Sequence, residues 1–118
     1  MTGTQFETVF TRWLFDKGFW ALNIPKNKFG AQPFDIIDIK DNFVLAIDFK
    51  VCEEIRLDLL RVEPNQQSAF KFLQTRTYAK CSFICWHKNA IYEVTFDEVD
   101  EGLSKGGASI KLERKLQG

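Results

Sequence analysis

The chain has 118 residues, 45% apolar and 27% charged, a balance that suits one globular domain spanning residues 1–118. Sixteen basic and sixteen acidic residues cancel to a formal charge of zero, which weighs against a protein that grips a polyanion by bulk charge alone. No apolar run is long enough to span a bilayer and no basic-then-apolar leader opens the chain, so the expectation is a cytoplasmic protein with no membrane partner; three cysteines without framework spacing fit that reducing compartment.

Residues 4–17 are predicted to form a helix, with Phe6, Phe10, Trp13 and Leu14 at helical spacing and Gly18 as the stop. Glu7 fits two readings. Thr4-x-x-Glu7 has the form of a capping box, which would make Glu7 a cap. It also flanks the apolar stripe, three residues before Phe10, and could look toward a sheet. A first strand over residues 19–24 is followed by a turn-rich loop, residues 25–33, that carries Lys26 and Lys28.

The next stretch is a hairpin. Residues 34–40 and 43–50 are strands, and Asp41-Asn42 is a two-residue turn whose residue types tolerate left-handed backbone. That turn sets the register: Lys40 faces Phe43, Ile39 faces Val44, Ile37 faces Ala46, and Asp35 faces Asp48. Lys50, two residues beyond Asp48, points to the same face. Facing carboxylates repel. One lysine does not neutralise two of them, so the cluster asks for a cation. The second strand is apolar on both faces, which marks it as central in its sheet.

Residues 55–59 are expected to form a short strand, and Pro64 to open a helix running to about residue 78. On that helix Gln66, Ala69, Phe70, Leu73 and Thr77 fall on one face, with Gln67, Lys71, Gln74 and Tyr78 on the other. Gln66 should therefore point inward and need a partner, and Gln67 should face solvent. Residues 81–87 and 91–96 read as two more strands, and residues 97–103 as a short helix. Residues 108–112 read as an edge strand or loose tail. Cys81, Cys85 and His87 share a face, but their spacing matches no zinc framework and a fourth ligand is missing, so they are read as core residues. Lys17, Lys26 and Lys28 gather around the first loop, and Asp97, Glu98, Asp100 and Glu101 near the end; solvated faces and a split surface with one DNA-facing side both fit.

Hard oxygen ligands of this kind favour Mg²⁺ or Mn²⁺, and such an ion suits phosphate chemistry. No phosphate loop, nucleotide fingerprint or Ser/His/Asp set accompanies them. Asp35, the hairpin turn and Asp48-Phe49-Lys50 resemble the PD-(D/E)xK nuclease signature, with Phe34 standing between Pro33 and Asp35 where that motif usually places Pro directly before Asp. Glu7 is similar to the N-terminal Glu of archaeal Holliday junction resolvases, and Pro64-Asn65-Gln66 resembles the start of a helix in RecU-like resolvases. The resemblance covers about residues 4–96. It implies an α/β restriction-endonuclease-like αβββαβ core, a mixed central sheet flanked by helices.

The resemblance also implies roles. Asp35, Asp48 and the Phe49 carbonyl would bind Mg²⁺ or Mn²⁺, with Glu7 at the metal or its water shell. Lys50 would serve the attacking water, and Gln66 would orient Lys50 or the scissile phosphate. Lys17, Lys26 and Lys28 are the DNA-binding candidates. The implied activity is structure-selective DNA cleavage leaving a 5′-phosphate, on a four-way junction, by a homodimer whose two-fold symmetry suits that substrate. The chain is much shorter than RecU and has no long insertion between strands. A nuclease of another substrate type (restriction-like, repair or flap-cutting) is the alternative enzyme, and a non-catalytic DNA-binding or interaction module of the same fold is the alternative outside enzymes.

Overall fold

The computed structural model describes residues 2–24 and 34–117. Helix α1 (Gly3–Asp16) starts at Thr2, not Thr4. The Gln5 N–H donates to Thr2 Oγ1 (3.2 Å) and the Thr2 N–H donates to Gln5 Oε1 (2.8 Å), a complete capping box formed by an earlier Thr-x-x-Gln. Thr4 lies inside the helix, which removes the capping reading of Glu7. Gly18, at φ +91°, ends the helix as expected: its N–H donates to Phe15 O and that of Phe19 to Leu14 O, both at 3.0 Å.

Three strands follow: β1 (Trp20–Asn23), β2 (Ile36–Lys40) and β3 (Phe43–Val51). Lys40 pairs with Phe43, Ile39 with Val44 and Ile37 with Ala46, the register counted from a two-residue turn. Asp41 takes the left-handed conformation, φ +54°, that the turn requires. Past β4 (Arg56–Asp58) and a 3₁₀ turn (Leu59–Arg61), helix α2 (Pro64–Arg76) leads to β5 (Lys80–His87). That helix is the crossover that lets β5 lie parallel to β3. Then come β6 (Ala90–Thr95), α3 (Phe96–Ser104), β7 (Ser109–Lys111) and β8 (Arg114–Gln117).

The main sheet runs β1-β2-β3-β5-β6-β8, so β3 is interior, as its two apolar faces demand. The strand expected over residues 55–59 does not join this sheet. As β4 it pairs with β7, which gives the expected loose tail a fixed partner. Strand β8 was not anticipated. Its Arg114 guanidinium reaches Glu98 at 2.7 Å and Glu93 at 3.7 Å, and its Leu116 packs on the α1-side core.

Two apolar layers cover the sheet. Phe6, Phe10 and Leu14 of α1 pack with Ile36, Ile47 and Ile84 on one face. On the other, Phe70 of α2 contacts Phe83 of β5 and Phe96 of α3, at 5.3 and 5.7 Å between ring centres. Fully burying such a ring is worth roughly 1.5–3 kcal/mol. Helix α2 ends at Arg76, earlier than the periodicity suggested, and Gln74 is not a solvent-facing residue in function. It bridges elements, donating to Asp97 Oδ1 (2.9 Å) and accepting from the Cys81 N–H (3.1 Å). Among the described residues no helix is long and apolar enough to cross a membrane.

Candidate active site

The register of the β2–β3 hairpin brings Asp35 and Asp48 to one end of the sheet. Asp35 sits just before β2, its N–H donating to Ile47 O (2.8 Å) and its carbonyl accepting from the Ile24 N–H (2.9 Å). The backbone of Asp35 is thus clamped between β3 and the end of β1. Its carboxylate Oδ2 accepts the Phe49 N–H at 2.7 Å. The neighbouring Phe34 ring stacks on Phe70 of α2, 6.1 Å between centres. An aromatic residue directly before Asp35 therefore anchors that carboxylate to the layer under α2.

Asp48 is 4% exposed, a buried carboxyl in the middle of the sheet. Lys50 Nζ lies 2.9 Å from Asp48 Oδ2, and the Lys50 side chain is itself only 14% exposed. Burial, opposed by the Lys50 ammonium and reinforced by the Asp35 charge, raises the Asp48 carboxyl to about 7. Two acids and one ammonium therefore leave a surplus of negative charge that a proton or a divalent cation can neutralise. This donor set, two hard carboxylates of which one is buried, fits Mg²⁺ or Mn²⁺.

The other expected residues fall at different distances from this cluster. Gln66 is buried in the first turn of α2, as its place on the apolar face required, and its Oε1 accepts the Glu63 N–H at 3.2 Å. It lies one helical turn before Phe70, which packs on Phe83, the β5 partner of Asp48. Gln66 therefore shares a layer with Asp48 and Lys50. Gln67, expected to face solvent, is half-buried and donates to Val62 O at 3.3 Å.

Glu7 is half-buried on α1, on the opposite face of the sheet. Its neighbour Phe6 packs edge-on against Phe49, 5.2 Å between rings, and Phe49 is the residue between Asp48 and Lys50. Glu7 thus stands at the same end of the sheet. Among the described residues, however, no three Asp, Glu, Cys or His side chains gather closely enough to hold a metal, so Glu7 does not close on Asp35 and Asp48. The same finding sets aside a zinc site at Cys81, Cys85 and His87; His87 Nδ1 instead meets Cys52 O at 3.0 Å.

Lys17 lies at the far end of the hairpin. Its backbone carbonyl accepts from Lys40 Nζ at 3.0 Å, and its ammonium sits 4.8 Å over the Trp13 ring. Lys40 is next to the β2–β3 turn, about five strand residues, or roughly 17 Å, from Asp35. Lys26 and Lys28 lie outside the described residues. Sequence reasoning also passed over Asp38. It is fully buried on the α1 face, and neither carboxylate oxygen has a hydrogen-bond partner among the described residues. Burial raises it to about 7. Its place two residues after Ile36 on a core-facing parity was the available signal.

A helix, an antiparallel three-strand unit, and a crossover helix to a parallel fourth strand define the restriction-endonuclease-like α/β fold. The same fold is seen in the crystal structure of Hjc, a Holliday junction resolvase from the archaeal hyperthermophile Archaeoglobus fulgidus, with a TM-score of 0.64 over 80% of this chain and 78% of that one. Identity between the two is 21%, so the likeness is one of fold. No family model matches the sequence, and no curated protein sequence matches it.

Proposed function

We propose that this protein is a Mg²⁺-dependent, structure-selective DNA endonuclease, a Holliday junction resolvase that hydrolyses phosphodiester bonds and leaves a 5′-phosphate. The observation that carries the reading is the cluster of Asp35, Asp48 and Lys50 at one end of the hairpin, where Asp35 accepts the Phe49 N–H at 2.7 Å and Asp48 pairs with Lys50 at 2.9 Å. The shared fold with an archaeal resolvase supports it.

In this reading Asp35, Asp48 and the Phe49 carbonyl would hold Mg²⁺ or Mn²⁺, with Glu7 serving only the ion's water shell. A bound ion would supply Lewis-acid polarisation of the phosphoryl oxygen and stabilisation of the leaving oxygen. The chain's own residues do the rest. Asp48 holds the Lys50 ammonium in place. Lys50 positions the attacking water and handles its proton. The Gln66 amide orients Lys50 or the scissile phosphate. Lys17 reaches DNA away from the cut, and Lys26 and Lys28 are further DNA-binding residues of this reading. A homodimer would present two such sites for paired cuts on a four-way junction.

One observation favours a second reading. No inserted element stands between β2 and β3 to enter a junction, since the turn there is Asp41-Asn42 alone. A flap-cutting or other branched-DNA nuclease would use the same residues. End-labelled four-way junction, flap, duplex and single-stranded DNA, each incubated with Mg²⁺, separate the two. Paired symmetric nicks with 5′-phosphate ends on the junction support the resolvase, and cutting confined to flaps supports the alternative.

A further inference from the structure

We propose that Arg61 is a phosphate-binding residue of this same site, gripping the DNA backbone just beyond Lys50; the inference rests on the nuclease reading above. Arg61 is the last residue of the 3₁₀ turn that leads toward α2. Its Nη1 donates to Val51 O at 2.8 Å and lies 3.8 Å from Cys52 Sγ. Cys52 is itself fixed, its N–H donating to Trp86 O (2.8 Å) and its carbonyl meeting His87 Nδ1 (3.0 Å). The guanidinium is therefore pinned to the end of β3 that carries Lys50. Lys50 and Cys52 share a parity along that strand, their Cα atoms two residue steps or about 6.6 Å apart. The Arg61 guanidinium thus meets the strand one to two residues beyond Lys50, at the Val51 carbonyl and the Cys52 sulfur.

None of the ion pairs formed among the described residues involves Arg61. It borders a cavity of about 430 Å³ lined by three acids, Glu53, Glu54 and Asp58; Glu54 pairs with Arg56, Asp58 accepts from the Leu60 N–H, and none of the three forms an ion pair with Arg61. A neutral carbonyl holds one nitrogen of Arg61, and among the described residues no partner takes its Nε or Nη2 donors, which leaves them for a ligand. An exposed, pre-oriented guanidinium whose charge is not cancelled by an acid suits a phosphate diester, which it can meet with paired hydrogen bonds.

The test compares Arg61→Gln and Arg61→Lys with their parent. Binding is read in the cleavage-silent Asp48→Asn chain by fluorescence anisotropy of a labelled four-way junction over a KCl series, and turnover is read in the otherwise unchanged chain. Arg61→Gln should weaken binding about tenfold and flatten the slope of log K against log salt by about 0.9. KM should rise more than kcat falls, and Arg61→Lys should recover part of the affinity. Unchanged affinity and salt slope in Arg61→Gln overturn the proposal, whether or not its melting temperature falls, because Arg61 would then only tie the turn to β3. A folded parent that binds no DNA overturns the nuclease reading and this inference together. A parent that binds and cuts, beside an indistinguishable Arg61→Gln, overturns this inference alone.

Discussion

The carboxylate of Asp35 accepts the backbone N–H of Phe49 at 2.7 Å, the residue that separates Asp48 from Lys50. One oxygen of Asp35 is thereby tied to β3, and the carboxyl group is held against that of Asp48. Asp35→Ala removes the acceptor and leaves a partly buried N–H without its partner, a loss of about 1–3 kcal/mol. Asp35→Asn keeps an acceptor there and removes the charge. Urea denaturation should therefore show a clear loss of stability for the alanine variant and a small change for the asparagine variant, while both lose cation binding.

Asp48 gives a pH dependence to the metal-free protein. Its carboxyl is raised from 3.8 to about 7, chiefly by burial, so the folded state holds a proton that the unfolded state releases. The stability this group contributes is full below about pH 4 and is lost as pH rises through about 7. A divalent cation binds the ionised form and opposes that loss. At pH 7.5, millimolar Mg²⁺ or Mn²⁺ should raise the melting temperature of the wild type, EDTA should reverse the rise, and Asp48→Asn should show none of it.

Asp38 carries the same sign with no cation to offset it. It is buried without a hydrogen-bond partner among the described residues and raised to about 7 by burial alone. Relative to wild type, Asp38→Asn should gain stability progressively from about pH 4 to 7 and then level off, by an amount on the order of 2–4 kcal/mol. Denaturant midpoints at pH 4.5 and pH 8 give the comparison. A constant difference at the two values contradicts it. Asp38 lies on the α1 face, away from Lys50, so cleavage should be spared.

The helix start separates Thr2 from Thr4. Thr2→Ala removes the cap acceptor and should cost about 1 kcal/mol. Thr4→Ala, inside the helix, should be close to neutral. Glu7→Gln leaves this cap intact and, in the proposed mechanism, slows cutting; a single-turnover rate equal to wild type would remove Glu7 from the site.

Much of the fold was legible because local chemistry and tertiary need agree along most of the chain. The Asp41-Asn42 turn set the hairpin register, and alternation on β3 marked it as central, so the meeting of Asp35 and Asp48 could be counted out. Gln66 followed from helical periodicity in the same way. What escaped depended on partners distant in sequence. Strand β4 has apolar–polar alternation but pairs with β7 instead of the main sheet, and β8 is held by Arg114 against Glu93 and Glu98. Arg61 carries no signal in the sequence, since its place is set by a carbonyl ten residues earlier. The helix cap was misplaced because two overlapping boxes, Thr2–Gln5 and Thr4–Glu7, compete within one turn, and pattern alone does not choose between them.

In the proposed function Asp35, Asp48 and Lys50 form a cation-dependent centre for cutting DNA. Single-turnover cleavage of a labelled four-way junction tests it most directly, with wild type, Asp48→Asn and Lys50→Ala measured in Mg²⁺ and in EDTA, and folding checked by circular dichroism. Wild type should cut in Mg²⁺ only, and either variant should lose at least about a hundredfold with the fold retained. Cutting that persists in EDTA, or in folded Asp48→Asn at the wild-type rate, would contradict the proposed function.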